Sequence, residues 1–129
     1  MERQAFASPD GAPAVGPYSP ALAAGELVFV SGQIALDPDG RVAGVTAAEQ
    51  ARKALENMQA TLAAAGLEMG AVVKTTIFLT DMGDFAAVNE VYAQFFCEPY
   101  PARSTVEVSR LPKDLKVEIE AIAVRGGDR

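Results

Sequence analysis

A chain of 129 residues with no histidine, a single cysteine and a formal charge of −6 excludes several kinds of chemistry before any motif is read. Ser-His-Asp and Cys-His machinery cannot be built, the usual zinc and non-haem iron sites lose their commonest ligand, and no intrachain disulfide can form. Scattered Lys and Arg on an acidic chain argue against a polyanion, so neither nucleic acid nor an acidic membrane is an expected partner.

Half of the residues are apolar, enough for one domain over residues 1–129 to bury its own core. No apolar run approaches the ~20 residues that span a bilayer, and the N-terminus lacks a signal-peptide apolar region; a cytoplasmic location is expected.

In chain order, a short strand is expected near Arg3 to Ala7, and Pro9, Pro13, Pro17 and Pro20 make the rest of the first 25 residues extended loop. Leu27 to Ile34 is a β-rich run, and the turn Asp37-Pro-Asp-Gly40 returns a short strand around Arg41 to Ala43. Thr46 with Glu49 forms a capping box, after which Ala51, Leu55, Met58, Leu62 and Ala65 recur at helical spacing until Gly66. Val72 to Thr80 reads as a strand, and Asp84 opens a second helix with the stripe Phe85, Val88, Tyr92 and Phe95. Cys97, beside Phe95 and Phe96, is expected to pack as a small hydrophobe.

The last third carries the chemistry. Arg103, Thr105 and Glu107 alternate with Ser104, Val106 and Val108 in one strand, and Glu118 and Glu120 share a face of the next, with Val117, Ile119, Ala121 and Ala123 on the other. A guanidinium facing a carboxylate across adjacent strands is the expected result. Such a pair suits a small carboxylic acid, because the arginine fork matches a carboxylate and the acid beside it can orient or deprotonate a water. The same pattern also describes a cross-strand ion pair on a solvated face.

The elements predict an α+β architecture, with two helices covering one face of a mixed sheet. Apolar residues at both parities of Leu27 to Ile34 and Val72 to Thr80 predict that the second face is covered by oligomerisation.

Six segments occur in order: Gly-Pro-Tyr-Ser-Pro-Ala at 16–21, Val-Ser-Gly-Gln at 30–33, Val-Lys-Thr-Thr at 73–76, Val-Asn-Glu-Val-Tyr at 88–92, Pro-Ala-Arg-Ser-Thr-Val-Glu-Val at 101–108 and Val-Glu-Ile-Glu-Ala-Ile-Ala-Val at 117–124. Together they resemble the RidA branch of the reactive-intermediate deaminase family, historically called YjgF, from about Gly16 to Arg125. The resemblance implies a chorismate-mutase-like subunit in a homotrimer with ligand clefts between chains. It also implies hydrolysis of 2-aminoacrylate, 2-iminopropanoate or 2-iminobutanoate to a 2-keto acid and ammonia, without a cofactor. By the same resemblance Arg103 clamps the substrate carboxylate, Glu118 positions water and assists proton transfer, and Tyr18 closes the cleft. Ser31 and Gly32 match the strand-end pair at the ligand, and Asn89 a helix position beside it. Taken singly, these residues also suit a loop anchor, a strand end and a solvent-facing helix position. Thr105 stands where a cysteine is familiar; its backbone carbonyl can still orient the water, but thiol modification there is impossible. The loop Glu98 to Tyr100 is shorter than in some relatives, which leaves substrate size open. Two alternatives share the architecture: a pathway-specific deaminase of a larger amino-substituted unsaturated acid, and a non-catalytic small-acid binding or chaperone-like trimer. Ribonuclease activity, associated with some relatives, fits poorly with the acidic charge and absent histidine.

Overall fold

The computed structural model describes residues 2–126. Six strands, β1 (Arg3–Phe6), β2 (Ala21–Ala24), β3 (Leu27–Gln33), β4 (Val72–Leu79), β5 (Ala102–Glu107) and β6 (Val117–Val124), form one sheet in the order β1-β2-β3-β6-β4-β5. Among the described residues only the β4–β5 pair is parallel. The helices are α1 (Ala47–Ala64) and α2 (Phe85–Tyr92), so the fold is α+β with a mixed sheet.

Helix α1 starts and stops on local chemistry. The Glu49 amide donates to Thr46 Oγ1 and the Thr46 amide to Glu49 Oε1, both at 3.1 Å, which satisfies two donors that a helix start leaves open. At the other end Gly66 turns with φ +76°, while its amide donates to the Ala63 carbonyl and that of Leu67 to the Leu62 carbonyl. Between the caps, Ala51, Leu55, Met58 and Leu62 are wholly buried against Val117, Ile119, Ala121 and Ala123 of β6 and their neighbours in the main core. Helix α2 packs on α1, and its Tyr92 shares a 2.7 Å hydrogen bond with buried Thr75 of β4, placing both helices on the same face.

That leaves the other face open. Leu27 and Phe29 of β3 and Val106 of β5 are 41%, 43% and 40% exposed there, an unusual density of apolar side chains on a sheet. Glu118 and Glu120 lie on this open face, because the residues alternating with them point into the core.

Several expectations are corrected. Arg103 does not face a carboxylate across adjacent strands: β4 lies between β5 and β6, since α2 provides a crossover that sets β5 parallel to β4. Ala21–Ala24, read as loop, is a strand that hairpins onto β3 through Gly25 at φ +62°, its alanines being weak strand formers held by their partners. The strand expected at Arg41 to Ala43 is reduced to a single bridge, Leu36 to Val42; the Asp37 carboxylate ties the turn by accepting from the Asp39 and Arg41 amides. The Asp84 side chain makes no cap bond, and Asp81 instead accepts from Gly83 at 2.8 Å. Cys97 is exposed rather than packed, because buried Tyr92 and Phe96 fill the helix-facing positions before it.

Candidate active site

Two clefts hold the candidate residues other than Thr105, which lines neither. On the open face, Val15, Tyr18, Ser31, Gly32, Ile34, Pro112, Glu118 and Glu120 line a cleft of about 490 Å³. Its loop wall is tied down by Ser31, whose hydroxyl donates to the Ser19 carbonyl at 2.6 Å and whose amide donates to Pro20 at 2.9 Å. The Ser31 hydroxyl proton is thus committed to the loop, so the oxygen faces a ligand only as an acceptor. Tyr18 is half-exposed, and its hydroxyl accepts from the Val15 amide at 3.2 Å.

Glu118 is the charged centre of this cleft. It is partly buried, and among the described residues it has no hydrogen-bond partner. Burial first, and the Glu120 charge second, push its carboxyl above the ordinary value of 4.5. Space for it comes from Gly32, at the point where β3 shifts register against β6: a Cβ on Gly32 would overlap the carboxylate and lie 2.8 Å from Glu118 Cγ. Gly32→Ala is therefore expected to force the Glu118 side chain, from Cγ outward, into another rotamer and out of the cleft, read by NMR titration as a fall of its pKa toward the ordinary value. An unchanged Glu118 pKa in a folded Gly32→Ala protein contradicts the clearance role of Gly32.

The second cleft lies on the helix side of the sheet, at its β5 edge. Asn89, Tyr92, Ala93, Tyr100, Pro101 and Arg103 line about 290 Å³. Arg103 is the Cα partner of Thr75, whose side chain is buried among the helix-face residues, so Arg103 shares that face. Thr105, two residues on, has a buried hydroxyl with no hydrogen-bond partner. Glu107 on the same strand accepts from the Met82 amide at 2.8 Å and so anchors the turn before α2.

The structure thus brings Tyr18, Ser31, Gly32 and Glu118 together, and Asn89 and Arg103 together, but it separates the two groups by the thickness of the sheet. Among the described residues no group of three or more His, Cys, Asp or Glu side chains could hold a metal ion, and no helix is long and apolar enough to cross a membrane.

Residues 10–125 match the family model described as Endoribonuclease L-PSP. The chain belongs to this family. A 2-iminobutanoate/2-iminopropanoate deaminase of Salmonella typhimurium is 52% identical over 115 residues, which are 87% of this chain and 90% of that protein. A RutC family protein of Sinorhizobium fredii is 54% identical over 114 residues, 88% of this chain and 90% of that protein. Among solved structures, Escherichia coli TdcF with bound serine superposes with a TM-score of 0.89 at 48% identity, covering 95% of this chain and 99% of that one.

In this L-PSP family chain, two polar residues of α1 do positional work that the sequence pattern did not reveal. Gln50 accepts from the Lys116 amide at 2.7 Å, at the entry of β6 that carries Glu118, and Asn57 donates to the Ile34 and Leu36 carbonyls at 2.9 and 2.8 Å beside the open-face cleft. Their positions fall within the helical stripe, but nothing in its period marks them as clamps rather than core. Phe85 and Tyr92 were legible only as apolar stripe residues, although both rings lie against Arg103.

Proposed function

We propose that this chain hydrolyses reactive 2-imino acids, and the enamines that interconvert with them, to 2-keto acids and ammonia, in a homotrimer whose sites lie between subunits. The carrying observation is that one protomer presents two incomplete halves on opposite faces: a guanidinium cleft with Asn89, and a carboxylate cleft with Tyr18, Ser31 and Gly32. A neighbouring copy seated on the apolar open face brings the first half of one chain to the second half of the next. The relatives named as imine deaminases, and the relative with a bound amino acid, support a ligand bearing an α-carboxylate.

In this reading Arg103 takes the substrate carboxylate with its fork of N–H donors, and Tyr18 packs over the bound acid. Glu118 of the neighbouring subunit accepts a proton from water as the water oxygen bonds to the iminium carbon. That proton then passes to the nitrogen of the resulting carbinolamine, the C–N bond breaks with its electron pair leaving on ammonia, and the hydroxyl loses its proton as the carbonyl forms. The iminium carbon is already electrophilic, so positioning and one proton relay suffice and the step calls on no cofactor. In the same reading the Thr105 carbonyl, on the Arg103 strand, serves as a further acceptor that orients the water. The family description names an endoribonuclease, but a chain of charge −6 without histidine lacks both a polyanion surface and the usual acid–base residue for that reaction.

The test generates 2-iminopropanoate and 2-iminobutanoate in situ with an amino-acid oxidase and traps them with semicarbazide. Catalytic amounts of wild type are expected to suppress the adduct, and Arg103→Ala to leave it. The same assay over imino acids of increasing side-chain length addresses the alternative of a larger substrate, which the apolar Tyr92, Ala93 and Tyr100 wall of the Arg103 cleft would admit. If no imino acid is spared from trapping, the chain is not an imine deaminase and the binding or chaperone-like trimer becomes the better reading.

A further inference from the structure

The Arg103 guanidinium is held by rings rather than by an acid. Its central carbon lies 4.9 Å from the centre of the Tyr92 ring and 5.7 Å from that of Phe85, both on α2. Among the described residues it makes no ion pair and no hydrogen bond. Tyr92 is itself fixed: it is 5% exposed, it packs on Phe96 with ring centres 4.5 Å apart and planes tilted by 33°, and its hydroxyl shares a 2.7 Å hydrogen bond with wholly buried Thr75, the Cα partner of Arg103 in the β4–β5 ladder. One residue pair in the sheet therefore sets both the origin of the arginine and the surface on which its head rests.

We infer that Tyr92, seconded by Phe85, is the positioning residue that orients Arg103 for a carboxylate ligand. A carboxylate partner within the protein would occupy the same N–H donors that the ligand needs and would compete with it for charge. A ring brings no competing charge, and a guanidinium lying flat on an aromatic face keeps its edge of N–H donors free. The ring also cuts the rotamer freedom that an exposed arginine would otherwise lose on binding. Phe85, 38% exposed, is the looser of the two supports, and Tyr92 the fixed one.

This inference rests on Arg103 as the carboxylate clamp, so its test separates the two. Binding of 2-oxobutanoate and of its neutral amide, 2-oxobutanamide, is measured by calorimetry, and the ratio of their affinities reports the contribution of the clamp alone. Arg103→Ala is expected to bring the ratio close to unity; if it does not, the clamp itself is misassigned. With that established, Tyr92→Leu is expected to lower the ratio by about 3- to 30-fold and Tyr92→Phe to retain it, since the ring and not the hydroxyl meets the cation. Phe85→Leu, at a partly exposed position where folding is not at stake, is expected to lower it by a smaller factor of about 2 to 5. A general packing defect weakens acid and amide alike and leaves the ratio unchanged. An unchanged ratio in Tyr92→Leu, or in Phe85→Leu should the first variant fail to fold, overturns the inference.

Discussion

Mixing Arg103→Ala protein with Glu118→Gln protein is expected to restore deaminase activity that neither variant has alone. The reason is topological. Arg103 is the β5 neighbour of Thr75 on the helix face, whereas Glu118 is the β6 neighbour of Phe78 on the open face. No rotamer of either side chain passes through β4 to the other side, so a site that needs both must draw them from two chains. When the variants are refolded together in equal amounts and subunits pair at random, half of the chains offer an intact arginine, half an intact glutamate, and about a quarter of the shared sites contain both. Close to a quarter of wild-type activity per site is therefore the expected readout, against separately refolded variants as the baseline. A mixture as inactive as its components, shown to contain mixed oligomers, would mean that each chain works alone and that the shared site is wrong.

The separation of those two residues is also where reading the sequence reached its limit. Alternation correctly put Glu118 and Glu120 on the face opposite Val117, Ile119 and Ala121, because a period of two survives whatever the strand pairs with. Pairing itself is not written in the period. β5 and β6 are consecutive and joined by a short turn at Pro112–Asp114, so a hairpin was the natural expectation; instead that turn, with Lys113 and Asp114 at φ 58° and 56°, leads the chain past β4. Helix α1 was legible to its caps since both signals are local, namely Thr46 with Glu49 and the glycine at 66. Strand β2 was not, since alanines between Pro20 and Gly25 have no strand preference of their own and owe their conformation to β1 and β3. Gly32 was picked out by resemblance, but its physical role, clearance for the Glu118 side chain, depends on a register shift that only the folded sheet displays. The rings around Arg103 were similarly visible as apolar residues and invisible as a seat for a cation.

Glu118→Gln is expected to lower kcat by about 10²- to 10⁴-fold, the range for removal of a positioned base, and to abolish the acid limb of the pH profile. The sign of that limb follows from the proton bookkeeping. Glu118 accepts a proton only when ionised, so activity is lost as pH falls through its pKa. In the protomer, burial and then the Glu120 charge hold that pKa above 4.5. In the proposed shared site the neighbour's Arg103 acts in the opposite sense, favouring the carboxylate while the guanidinium is uncompensated. A bound substrate carboxylate neutralises Arg103, and the upward influence of burial and Glu120 is then restored just as a base of higher proton affinity is needed. The limb in kcat, which reports the complex, is therefore expected at higher pH than the limb in kcat/KM, which reports the free enzyme. Glu120→Gln, removing the repulsion, is expected to move both limbs to lower pH while leaving the order intact. These profiles are read as catalysed rates after subtraction of spontaneous imine hydrolysis at each pH. An acid limb that persists unaltered in Glu118→Gln assigns the titration to another group and takes the water-activating role from Glu118.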